Sequence, residues 1–324
     1  MYLCGEFPRM NDLIFSINVV APLFVLMAAG YAARRFNMIS GEFLSEASRF
    51  VFNFLIPLML FQNIRNIFTG DFSETSLIFA AVAGIGIVIV ASFCIVPLFV
   101  KRRGQRGSMI QGIYRSNFLI YGMPLATGMY GQEAAHYIAM LLGVMVPLYN
   151  IVAVIILSIF SETRTKRFSP VQLAVDIARN PLIIGCVAGI VFGAFRIDMP
   201  SAISKPVGEL SLAASPLALF LMGGDFKFRS LKNNMLKVFS VTAARLIIVP
   251  LVAMLALIPM GFRNIELSVL LCLFATPAAV SSYIMASNMG CDGELSGQIV
   301  VMTTVGSCFS IFLFVFVLRS MGIL

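Results

Sequence analysis

Residues 22–30 read P-L-F-V-L-M-A-A-G, and residues 181–189 read P-L-I-I-G-C-V-A-G. Both are P-L-x5-A-G, set 159 residues apart. A second echo keeps that offset: Pro57-Leu58-Met59-Leu60-Phe61 against Pro216-Leu217-Ala218-Leu219-Phe220, both P-L-x-L-F. Two different motifs at one spacing mark an internal repeat better than chance proline and leucine in apolar sequence would. Two more proline pairs, Pro97 with Pro250 and Pro124 with Pro277, stand 153 apart.

The repeat is written in apolar residues. Of 324 residues 59% are hydrophobic and 12% charged, with a mean hydropathy of +0.95. A soluble domain carries about 25% charge, so this chain is built for lipid and is an all-α polytopic membrane protein. Ten segments are apolar enough to span: Leu13–Ala33, Ala47–Ile64, Ser76–Val100, Met109–Tyr130, Tyr137–Phe160, Pro181–Phe195, Val207–Gly224, Val238–Met260, Leu267–Ala286 and Ile299–Leu318. The first is followed by Arg34 and Arg35 and reads as a retained helix, with Met10 a second plausible start. Val171–Asn180 reads as a short amphipathic lead-in.

The net charge of +8 comes in short clusters between apolar segments, not on one face of a soluble domain, so nucleic acid is not an expected partner. Alternate loops hold 13 Lys and Arg residues against 6 on the other side, which places the first loop in the cytoplasm and both termini outside. An odd number of helices per half then makes the repeat inverted, five plus five, which is a transporter architecture. The halves are 1–160 and 171–324, joined by a linker at 161–170.

Prolines at Gly122-Met123-Pro124 and Thr276-Pro277 fall in mid-span of helices four and nine. They predict either ordinary kinks or two broken helices whose ends bind an anion at the membrane midplane. Asn117, Asn53, Ser281 and Ser282 lie within about two turns of these breaks or of Pro57, and would either join helices or line a path. Arg115 and Arg245 sit about 10–12 Å deep if their helices start near Gly107 and Val238. Each would either snorkel to the surface or face a pathway, at a cost of at least about 2.5 kcal/mol for a central charge. Among the acids only Glu209 could be embedded, which favours an organic anion as cargo over a proton or Na⁺ site. His136 stands alone beside a loop, and the six cysteines show no metal or disulfide spacing, so no metal, cofactor or enzymatic centre is expected.

With these residues in order, the chain resembles the auxin efflux carrier family in its compact bacterial form. Ala29-Gly30-Tyr31, Phe52-Asn53 through Pro57 to Phe61, and Asn117 with Gly122-Met123-Pro124 and Tyr130-Gly131 are similar to that family's first, second and fourth helices. Arg245 to Pro250 and Thr276-Pro277-Ala278-Ala279-Val280 resemble its eighth and ninth. The resemblance implies crossing broken helices four and nine, as in bile-acid symporters and Na⁺/H⁺ antiporters. It implies a scaffold of helices 1, 2, 6 and 7, a transport domain of helices 3–5 and 8–10, and elevator-type export of carboxylates such as malate, malonate or auxin-like acids. The family often carries Asn where Ser281 stands, and Ser161–Pro170 replaces the long loop of the plant carriers. A bacterial inner-membrane location is implied. A Na⁺-coupled symporter of the bile-acid type is the alternative, and the cargo, the coupling ion and a homodimeric state stay open.

Overall fold

The computed structural model describes residues 22, 24–67, 75–163, 175, 177–226 and 228–324. Residues 13–21 and 23 of the expected first segment, the linker beyond residue 163, and residues 171–174 and 176 of the lead-in lie outside them. The described chain is helical throughout, with one isolated antiparallel bridge, Ser116 to Ala278. In chain order, α1 covers 24–35 and α2 runs from Gly41–Phe50 through a π-turn, Val51–Leu55, into Ile56–Ile67. Next come α3 (Thr75–Phe99), α4 (Arg103–Tyr114), α5 (118–130) and α6 (Glu133–Phe160). Then follow α7 (Pro181–Ala194), α8 (Ser201–Asp225) and α9, which is Phe228–Ala243 with a π-turn at Ala244–Ile248 and a last part at Val249–Leu257. The chain ends with α10 (Asn264–Ala275), α11 (Ser281–Asn288) and α12 (Gly293–Ser320).

Local sequence explains the ends. Ser40 caps α2 by accepting from Phe43 N at 3.0 Å, and Asn180 caps α7 by accepting from Leu182 N at 3.0 Å. Pro181 takes the first position of α7, where its missing N–H is no loss. Gly131, at φ 66°, separates α5 from α6, a conformation that glycine adopts without penalty. The first turn of α4 has a distant cap: Glu162 Oε1 accepts from Gly104 N at 3.1 Å, while Arg102 pairs with Oε2 at 3.2 Å.

Among the described residues, six helices are long and apolar enough to cross a membrane: Gly41–Arg65, Thr75–Phe99, Glu133–Phe160, Ser201–Asp225, Asn233–Leu257 and Gly293–Ser320. At 25–28 residues each exceeds the ~20 that a bilayer core requires. Pro181–Ala194 and Asn264–Ala275 are apolar but shorter. Gly41 and Ser201 open α2 and α8 160 residues apart. Arg103–Tyr114 and Asn264–Ala275 are both 12 residues long and begin 161 apart. Pro97 is in the last turn of its helix, whereas Pro250 lies two turns before the end of its own.

The two sequence echoes meet in space. A methyl group added to Gly30 would overlap the carbonyl oxygen of Phe220, and one on Gly189 would lie 2.8 Å from that of Phe61. The A-G of each half thus presses on the P-L-x-L-F of the other. Gly223 against Met27 and Gly185 against Pro57 bring the same helices, α1 with α8 and α2 with α7, into backbone contact. Such small-residue approaches are how helices associate in lipid, where apolar burial drives little.

Gly30→Val should therefore lower the melting temperature in detergent, by an overpacking cost of about 1–3 kcal/mol. Gly86→Val, at a position with no atom within 4 Å, should leave it unchanged. The Glu162 carboxyl is held below the ordinary glutamate range by the Gly104 N–H and then by Arg102. Its contribution is present above the ordinary glutamate range and lost as pH falls through the lowered value. Melting curves against pH should show Glu162→Gln losing that acid-side dependence.

Candidate functional site

Two helices stop inside the protein and restart. Between α4 and α5 residues 115–117 are extended, and between α10 and α11 residues 276–280 leave the helical path. The two gaps pair with each other: Asn117 N donates to Pro277 O at 2.8 Å and Ala279 N to Arg115 O at 3.1 Å. Ala278 N is taken by Thr303 Oγ1 at 3.1 Å. Backbone donors that would be costly to leave bare are thus satisfied within the crossing.

The second gap lies at Thr276-Pro277, where the prolines place it. The first does not lie at Gly122-Met123-Pro124 but at Arg115-Ser116-Asn117, about two turns earlier. Phe118–Gly122 forms a π-turn that runs on into the helix carrying Pro124, so proline here distorts the helix without ending it. Gly122 is buried against the Phe118 ring.

Both arginines are inside the protein, at 4% exposure for Arg115 and 0% for Arg245, so neither snorkels. Arg245, held in the π-turn of α9, spreads its guanidinium over helix C-termini. Its Nε donates to Thr276 O at 2.9 Å, Nη2 to Leu273 O at 3.1 Å, and Nη1 to Ile113 O and Tyr114 O at 3.1 and 3.3 Å. Arg115 donates from Nη2 to Asn150 Oδ1 at 2.7 Å and turns Nη1 to the sulfur of Met285.

A cavity of about 80 Å³ opens beside the crossing. Arg115, Ser116 and Asn117 form one wall with Tyr149 and Asn150 of α6; Ala279, Val280 and Ser281 continue it from the second gap. The facing wall is Met59, Leu60 and Asn63 of α2 with Ser215 of α8. None of the described residues that line it is acidic. The Asn117 Nδ2 is buried without a hydrogen-bond partner.

Of the expected residues, the structure brings Arg115, Asn117 and Ser281 together on this cavity. Thr276, Pro277 and Ser282 lie in or next to the second gap but are not among the described lining residues; Thr276 Oγ1 and Ser282 Oγ are buried and unpartnered. Asn53 is exposed within the first π-turn, and Arg245 is behind the crossing. Asn150, Tyr149, Asn63 and Ser215 were not anticipated. Asn150, a polar side chain within a 28-residue apolar helix, carried the signal of an intramembrane polar group.

A family model described as "Membrane transport protein" matches residues 15–315. A "Putative malonate transporter" of Rhizobium meliloti is 24% identical over 310 residues, 94% of this chain and 96% of that protein. An "Uncharacterized transporter" of Methanothermobacter thermautotrophicus is 26% identical over 327 residues, 91% of this chain and 96% of its own length. "Auxin efflux carrier component 8" of Arabidopsis thaliana shares 31% identity over 132 residues, 38% of this chain and 35% of the plant protein. With its multiple apolar spans and a family match over most of its length, this chain belongs to the membrane transport protein family of the auxin efflux carriers.

Proposed function

We propose that this transporter is a secondary carrier of small organic anions, carboxylates of the size of malonate or malate. The observation that carries the reading is the cavity at the crossing. It presents a buried guanidinium and an unpaired amide N–H₂, with no carboxylate among the described lining residues. A buried cation without a facing acid favours an anionic guest, and hydrogen bonds from charged donors to a carboxylate are the strong ones. Arg115 would supply the charge, held in place by Asn150. Asn117 Nδ2 would donate to a carboxylate oxygen, and Ser281 would add a hydroxyl from the second gap.

The architecture we propose is ten helices in two inverted halves, with residues 1–160 and 171–324 joined by a cytoplasmic linker. The matched starts of α2 with α8 and of α4 with α10, and the reciprocal A-G on P-L-x-L-F contacts, support it. In this reading α1, α2, α7 and α8 form the scaffold. The crossing, with α3–α6 and α9–α12, moves against it as an elevator. The cavity has one wall from each group. The termini would face outward across a bacterial inner membrane.

Proteoliposomes should take up labelled malonate or malate. Arg115→Gln and Asn117→Ala should each lower uptake about tenfold or more, the equivalent of about 1.5–3 kcal/mol for a lost hydrogen bond to a charged group. If Asn117→Ala transports as well as the wild type, the site assignment falls. Asn150→Ala should raise KM more than it lowers the maximal rate, because Arg115 loses its anchor while keeping its charge.

A further inference from the structure

Arg245 stands where discontinuous-helix carriers bind their coupling ion. In such carriers unwound carbonyls and half-helix C-termini face one another at the midplane and coordinate Na⁺ or a proton. Here those carbonyls belong to Ile113 and Tyr114 at the end of α4, and to Leu273 and Thr276 at the end of α10. All four face one guanidinium, which is wholly buried. A helix C-terminus carries about −0.5 of an elementary charge, so two converging ends carry about −1, which one arginine cancels. The π-turn Ala244–Ile248 re-aims the α9 backbone at this residue, a distortion common at functional positions.

We propose that the Arg245 guanidinium is a tethered substitute for a coupling cation, and that this carrier therefore works without Na⁺. Its charge is spent on the two helix ends, so it does not meet the cargo; Arg115 keeps that role under the function proposed above. The seat retains oxygen ligands. They are the four carbonyls that face the guanidinium. Removing the guanidinium would leave an oxygen-lined vacancy of net negative potential, suited to a small cation.

Purified protein and proteoliposomes are compared in Na⁺ and in choline. The wild type should show the same melting temperature and the same carboxylate uptake in both. Arg245→Ala should melt lower and lose uptake by about tenfold or more in choline, with four charge-assisted hydrogen bonds gone. Na⁺ or low-millimolar guanidinium should restore part of both. Arg245→Lys, which keeps a cation near the seat, should retain more of each than the alanine variant. A wild type whose uptake or melting temperature depends on Na⁺ overturns the proposal. So does an alanine variant that is indifferent to the loss, or one that no cation rescues while the lysine variant fails equally. If Arg245→Ala cannot be purified, the wild-type and lysine measurements still decide. Melting needs no cargo, so a wild type that moves no carboxylate in either buffer sinks the functional reading alone.

Discussion

Backbone groups that end in mid-membrane have no water to turn to, and everything near the centre of this protein answers that constraint. Two helices stop there, each leaving bare carbonyls on one side and bare N–H groups on the other. In hydrocarbon each unmet group costs several kcal/mol. The N–H groups of Asn117 and Ala279 are met by the opposite strand of the crossing, and that of Ala278 by Thr303. The carbonyls are met by Arg245. Among the described residues that line the cavity, Asn117 has a buried side-chain amide left without a partner.

Two arginines at similar depth end in different chemistry because of what surrounds them. Four carbonyls converge on Arg245, and its charge is absorbed by the helix ends. Arg115 lies in the extended gap itself, with an amide oxygen and a thioether as partners and a cavity beside it. Neither partner carries a negative charge. The proposed carboxylate guest would be the counter-ion that the protein omits.

The membrane character, the helices and the family were legible in the sequence because they rest on composition and on motifs with a fixed spacing. The P-L-x5-A-G and P-L-x-L-F echoes could be read in the sequence, and the structure sets Gly30 against Phe220 and Gly189 against Phe61. The first gap was not legible. Pro124 is a strong breaker on paper, yet α5 runs through it, with a π-turn just before. Arg115-Ser116-Asn117 contains neither proline nor glycine and unwinds because residues 277–279 pair with it. Propensity cannot reveal a break whose cause lies about 160 residues away. The depth of Arg245 could be read from its place in an apolar run, but its partners could not, since carbonyls belong to every residue type. Asn63 and Ser215 belong to no motif in the sequence, and the fold brings them to the cavity.

The Ser116–Ala278 bridge also sets an order on biogenesis. A chain made from its N-terminus finishes Arg115, Ser116 and Asn117 long before Pro277 and Ala279 exist. During that interval the extended residues have no backbone partner, and lipid offers none. The nascent first half must keep them wet, or hold them short of full insertion, until the second half arrives. The first gap therefore stays an unfinished polar seam while about 160 further residues are made.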